Sequence, residues 1–274
     1  MTSNDDGKGT PANNYLDSKY ILNSNETLNG LGYGDYAQRF LEHVCSASPD
    51  SFNKDAGVLF LRTSIVQTYT DDSVIGSIRN IVDPKMTLKR TNPFSHVIST
   101  KEAICISPLF SFFSKGTTYS GEQLNTTEQV YEAARNDMRA SPAIFLKITP
   151  PQKEVQTIEG LSKNYWIETR PFNLSIPENS RLVSFFDPPL FPGTEYKDTV
   201  VVGYFVILKD LTEGYWKFDF GGIGAHDYIT HAQTHILVKK DPIVFPQDIS
   251  GVDFSKVKGE PVGELDLSSI YSKL

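Results

Sequence analysis

Five side chains in one stretch of the sequence could do acid–base or metal chemistry: Asp219, His226, Asp227, His231 and His235. Imidazoles and carboxylates are the ligands that divalent metals take from proteins, and an imidazole also moves protons near neutral pH. Conformation decides what the cluster means. In a helix, His231 and His235 would lie one turn apart, as in zinc proteases, but the catalytic version carries glutamate directly after the first histidine, where this chain has Ala232. In a strand they share a face about 13 Å apart at ~3.3 Å per residue, too far for one ion unless a neighbouring strand intervenes. The sequence therefore expects His231, Gln233 and His235 on a polar strand face, with Thr230, Ala232, Thr234, Ile236 and Val238 toward the core and no cofactor. The rival reading is a metal-dependent enzyme, with a divalent metal held by His226, His231 and His235 and Asp219 or Asp227 as helper.

A second chemistry comes from aromatic side chains. Phe185, Phe186, Phe191 and Tyr196 fall in residues 184–198 together with three prolines, and Trp216 follows shortly after. Such residues could form a stacking platform for a sugar or another flat ligand, although strand alternation competes to bury them in a core. Nucleophilic catalysis has less to work with. No G-x-S-x-G elbow occurs, and Cys45 and Cys105 are the only cysteines, so a thiolate zinc site is excluded. Both are expected as buried free thiols, one on a helix and one in an apolar strand. Asp219-Phe220-Gly221 imitates a kinase signature without its companion motifs, and the nearby glycines lack the lysine of a phosphate loop.

The elements that position these residues are mostly strands. Residues 200–208 are apolar on both faces, which suits a strand buried on both sides. Residues 215–220 alternate between an aromatic face and a mixed one, Gly221, Gly222 and Gly224 are expected to break that strand, and residues 228–238 resume it. Leu211, Gly214 and Tyr215 lie close to the order of a Greek-key tyrosine corner, in which the hydroxyl bonds nearby backbone. Further strands are expected over 58–66, 103–109, 143–149, 164–170 and 172–176. A helix should begin near Asp35, because Tyr36, Phe40 and Val44 repeat at four-residue spacing beside Ala37, Leu41 and Cys45. A second should start after a cap at Asn125 or Thr126, with Glu128 and Gln129 placed for the reciprocal bond; its charges, Arg135 among them, look like a solvated face.

Composition bounds the partners. With 12% aromatics, including 17 Phe and 13 Tyr, the chain can fill the space between sheets. A formal net charge of -7 with no Lys/Arg run longer than two residues excludes a nucleic-acid footprint. No apolar run approaches the ~20 residues of a membrane span, and the first residues lack the basic start and apolar core of a signal peptide, so the cytoplasm is the default expectation. The expected organisation is a flexible arm over residues 1–29, one mainly β domain over 30–240 and a C-terminal extension over 241–274. The domain is expected as a two-sheet β-sandwich or jelly roll with two packed α-helices.

Several short segments resemble a family of uncharacterised bacterial and archaeal proteins. Its helix motif W-x-x-[RK]-W-W-x-W falls on Tyr36, Arg39, Phe40, Leu41 and His43, with every tryptophan replaced. Thr100, Lys101, Ala103 and Pro108 fall on its P-x-G-K turn and the apolar run after it; Thr127, Glu128, Ala134 and Asp137 fall on a helix motif. Phe172, Leu174, Ile176, Pro177 and Glu178 match an F-x-L-x-[IL]-P-E strand. Gly203, Tyr204, Phe205, Ile207, Leu208, Leu211, Gly214, Phe218, Phe220, Gly221 and Gly222 match its closing G-Y-[WF]…F-G-G segment. The resemblance implies a helix packed on a single β-sandwich and brings no substrate, cofactor or catalytic residue. The leading expectation is thus a non-catalytic module binding a small molecule, a glycan or a protein partner through the aromatic loop and the glycine hairpin. Besides the metal enzyme, an envelope or assembly subunit is the other alternative; oligomeric state is not written in these residues.

Overall fold

Valines, isoleucines and aromatics on both faces of residues 200–208 demand cover on both sides, and the fold is arranged to provide it. The computed structural model describes residues 14–46, 54–55, 57–61, 64–66, 94–139, 143–180, 190–223 and 229–240. In chain order the elements are α1 (Tyr33–Ser46), β1 (Lys54–Asp55), β2 (Val58–Leu61), β3 (Ser64–Val66), β4 (Phe94–Ser99), β5 (Ala103–Phe113), β6 (Thr118–Tyr119) and β7 (Glu122–Gln123). Then come α2 (Thr127–Arg139), β8 (Ala143–Thr149), β9 (Gln156–Thr157), α3 (Leu161–Asn164), β10 (Trp166–Glu168), β11 (Phe172–Ser175), β12 (Glu195–Leu208), β13 (Gly214–Ile223) and β14 (Ile229–Lys239).

The protein is mainly β, with two mixed sheets packed as a sandwich and helices laid against it. The first sheet runs β1-β2-β5-β12-β10, with β11 also on β12; the second runs β3-β14-β13-β8-β9, with β4 also on β14. Pairs β2–β5 and β4–β14 are parallel and the others antiparallel. One edge of β12 is covered by β5 over residues 200–208. The other is shared by β11, β10 and residues 20–22, with Thr169 and Tyr165 filling the gaps. Ladder and flanking bonds together thus satisfy the backbone of a buried strand along its length.

Alternation assigns the two faces of the first sheet. Phe60, Cys105, Phe110 and Phe205 face α1, whose Tyr36, Ala37, Phe40, Leu41 and Cys45 are fully buried. Phe40 meets Phe60, Phe110 and Phe205 edge-on at centroid distances of 6.0, 5.4 and 5.5 Å, the arrangement that ring quadrupoles favour. On the opposite face, Ile104, Ile106, Val206 and Leu208 meet the second sheet's Trp216, Phe218, Phe220, Leu146 and Ile236 in one continuous core. Farther along that face, Leu109, Phe113, Val200 and Val202 are covered by Val130, Ala133, Ala134 and Met138 of α2. The register of β12 on β5 shifts between Tyr204 and Val206, and the Ser107 hydroxyl donates to the Tyr204 carbonyl there at 3.0 Å.

Both helices start as their sequences say. The Gln129 N–H donates to the Thr126 hydroxyl at 3.2 Å and the Gln129 side chain accepts from the Thr126 N–H at 3.0 Å, a reciprocal cap. For α1, Asp35 accepts from the Gly32 N–H at 2.8 Å.

Three expectations change. Residues 14–29 are not a free arm: Leu16, Tyr20, Ile21 and Leu22 are buried, and Tyr20 sits edge-on to Trp216 at 5.4 Å. Residues 14–16 bond to Thr157 at the edge of the second sheet, and residues 20–22 bond to β12 in the first. This strap therefore joins the two sheets along one side; residues 1–13 and 241–274 lie outside the described residues. Residues 58–66 are not one strand, because β2 joins the first sheet and β3 the second. Gly221 and Gly222 do not break β13, which continues through them, buried, between Phe145 and Ile144 of β8 and His231 and Thr230 of β14.

Candidate functional site

The aromatic loop joins β11 to β12. Its stem is closed by the Ile176 N–H on the Thr194 carbonyl and the Gly193 N–H on the Ile176 carbonyl, both at 2.9 Å. Gly193 takes a φ of 73°, which the turn requires. Anchors hold both ends. The Ser180 hydroxyl donates to the Cys45 carbonyl near the end of α1, and Leu190 is buried in the main core. The next residue, Phe191, is 63% exposed, the most exposed large hydrophobic side chain among the described residues. Its N–H donates to the Tyr196 hydroxyl at 2.9 Å, while the Tyr196 ring packs half-buried opposite Leu174.

Of the five residues expected to form a platform, Phe191 and Tyr196 are thus brought together, and Phe185 and Phe186 lie outside the described residues. Trp216 is elsewhere. The alternation of β13 points it into the core, fully buried, where it stacks on Phe218 at 6.3 Å and donates its indole N–H to the Thr212 carbonyl at 2.9 Å. It cannot take part in a surface site.

The polar face of the second sheet lies on the other side from Trp216. Strand register places His235 opposite Lys217, Gln233 opposite Asp219, Asp219 opposite Lys147, and His231 opposite Gly221. Between the two histidine positions lie Gln233 on β14 itself and, across from it, Asp219 on β13: an amide and a carboxylate, not a third imidazole. His226 and Asp227 lie outside the described residues. Among the described residues no three His, Cys, Asp or Glu side chains converge where they could hold a metal ion. His235 itself is buried, at 8% exposure. Its Nδ1 is hydrogen-bonded to the Tyr215 hydroxyl, its ring meets the Tyr215 ring edge-on at 5.2 Å, and its Nε2 has no partner among the described residues. Tyr215 therefore makes a cross-strand side-chain bond rather than a tyrosine corner. Burial pushes the His235 pKa below its ordinary value of 6.5.

No protein-family model, curated protein or solved structure matches the chain. The resemblance to the uncharacterised bacterial and archaeal proteins rests on its short motifs alone, and the structure shows what most of those residues do. Phe205, Ile207, Leu208, Leu211, Phe218 and Phe220 are fully or almost fully buried, so these residues of the closing motif serve packing.

Arg135 carries a role that its place on a helix face concealed. Its Nε and Nη2 donate to the two Glu168 oxygens at 3.0 and 2.8 Å, the Trp166 indole N–H donates to the same carboxylate at 3.1 Å, and the guanidinium lies 5.0 Å from the Tyr131 ring. With three donors committed to it, Glu168 has little freedom for acid–base work; it ties α2 to β10. No local signal could announce a pair 33 residues apart. The thiols are equally committed to structure. Desolvation raises the Cys45 pKa to about 12 and pushes that of Cys105 higher still, away from any nucleophilic role.

Proposed function

We propose that this chain is a non-catalytic β-sandwich module that binds a small ligand, a glycan or a protein partner through the β11–β12 loop, with Phe191 as its apolar contact. The observation that carries the reading is Phe191 itself, exposed at 63% on a backbone held by Tyr196 and by its buried neighbour Leu190. Fully burying a phenylalanine yields roughly 1.5–3 kcal/mol, and a loop already fixed at that point loses less conformational freedom on binding. The buried thiols and the engaged Glu168 carboxylate favour a binding role over a nucleophilic or acid–base one. Of the glycine hairpin expected to share the site, Gly221 and Gly222 are buried in the sheet, which favours the β11–β12 loop alone, and Gly224 lies outside the described residues.

The test is a binding screen of immobilised glycans and protein baits with the wild type, Phe191→Ala and Phe191→Asp. Because Phe191 contributes little to the core, both variants should keep the wild-type melting temperature. A ligand bound by the wild type and lost by both variants supports the proposal. A ligand bound equally well by all three assigns binding elsewhere and overturns it.

A further inference from the structure

We propose that protonation of His235 loosens β14 from β13 and from its parallel neighbour β4, making this side of the second sheet an acid-sensitive joint. The geometry carries the idea. His235 is buried, one ring nitrogen is held by Tyr215, and the other, Nε2, has no hydrogen-bond partner among the described residues. A neutral imidazole needs one donor and one acceptor; an imidazolium carries a hydrogen on both nitrogens. The Tyr215 oxygen can accept from Nδ1 by turning its own proton away. Nε2 would then carry a buried, unanswered N–H together with a positive charge, a costly arrangement.

Neighbouring charges do not remove that cost. Lys217 stands directly opposite His235 in the β13–β14 ladder, where like charges are destabilising. Asp219 lies one pair farther along the same face and would attract the cation, but it stands directly opposite Lys147 of β8. On β14 itself, His231 and Lys239 occupy positions of the same face, and on β4 the facing positions are Ser95, Val97 and Ser99, none of them ionisable near neutral pH. Among the described residues, Tyr215 supplies the one hydrogen bond to the ring.

The direction follows from linkage. Burial lowers the pKa in the folded protein below the ordinary 6.5, so the opened sheet binds the proton more tightly. The joint's full stability is present above the ordinary value and is lost as pH falls through the folded one.

Two measurements test this on the full chain. The first is the NMR titration of the His235 ring in the wild type, expected below 6.5. The second is amide exchange protection in β14 and β4 at pH about 7.5 and about 5.5, in the wild type and in His235→Gln. Between the opened-state and folded values, wild-type protection should fall by up to about tenfold per pH unit, and His235→Gln should lose that component. A His235 midpoint at or above 6.5 overturns the proposal, as does the same loss of protection in both proteins. Should His235→Gln not fold, the wild-type titration decides alone.

Discussion

Gly203 sets the distance between the two central strands, and adding one methyl group there should be costly. It pairs with Phe110 across the β12–β5 ladder. A Cβ built on Gly203 would lie 2.5 Å from the Phe110 Cβ, 2.6 Å from its Cα and 2.7 Å from the Leu109 carbonyl oxygen. None of these atoms can rotate away, since two are backbone and the third is fixed to it. Contacts of 3.5–4.0 Å are the comfortable range for non-bonded heavy atoms, so the strands must part by roughly 1 Å at this point. That strains the ladder from residue 200 to 208 and the edge-on cluster of Phe40, Phe110 and Phe205. Overpacking costs about 1–3 kcal/mol, occasionally more, and the rigid backbone contacts place Gly203→Ala at about 3 kcal/mol. Against this, alanine gains only about 0.4–1 kcal/mol by restricting the unfolded chain. The net loss is about 2 kcal/mol, a fall of roughly 4–8 °C in melting temperature for a chain of this size.

Gly34, in the first turn of α1, makes the matched control. Its nearest neighbour for an added Cβ is the Glu168 carbonyl oxygen at 3.8 Å, ordinary contact, and its φ is not left-handed. Gly34→Ala should therefore leave stability unchanged or raise it by up to about 1 kcal/mol. Urea and thermal unfolding of the two variants, read by circular dichroism, compare the same chemical change in two surroundings. A Gly203→Ala protein as stable as Gly34→Ala would refute the idea that this strand pair is pinched.

Tyr20→Ala should cost about 3 kcal/mol in urea unfolding, because it empties a buried site and removes the ring packed edge-on to Trp216; a loss under about 1 kcal/mol would mean that the strap adds little. A double-mutant cycle on Arg135 and Glu168, each changed to Ala, should give a coupling of about 1 kcal/mol that shrinks in high salt, and an additive cycle would contradict the pairing. Neither Cys45 nor Cys105 should react with a thiol reagent at mildly alkaline pH in the folded protein, whereas both should react in denaturant. Fast labelling of either in native buffer would contradict its burial.

Local pattern made much of the sandwich legible. The apolar faces of residues 200–208, the four-residue stripe of α1 and the Thr126–Gln129 cap each reside within a few neighbouring positions, and each appears in the structure. What depends on distant partners did not show. Leu16, Tyr20, Ile21 and Leu22 are interrupted by Asp17, Ser18 and Lys19, so no period marks the strap, and it is the distant β9, β12 and β13 that give those residues something to dock on. Residues 58–66 look like one apolar run because nothing local records that β2 and β3 enter different sheets. The candidate site divides in the same way. Phe191 and Trp216 are both aromatic residues near prolines or glycines; the strand phase of β13 sends Trp216 to the core, whereas Phe191, ahead of β12 and in no strand, stays exposed. For the histidines, four-residue spacing places both positions on one strand face, but the register that sets Gly221 and Lys217 opposite them is a property of the sheet.

The strap also bears on the order in which the molecule can be made. Asn14 bonds to Val155, 141 residues away, and Tyr33, just beyond the strap, bonds to Ile207 across 174 residues. During synthesis residues 14–22 emerge long before β9 and β12, and until those strands follow, Leu16, Tyr20, Ile21 and Leu22 stay uncovered. Such distant pairings close late and slowly, and exposed apolar surface invites association with other chains while they do. Nascent fragments that stop before β12 should therefore be the species most prone to aggregate or to be held by chaperones, and completion of the Glu195–Leu208 strand should be the step that releases them.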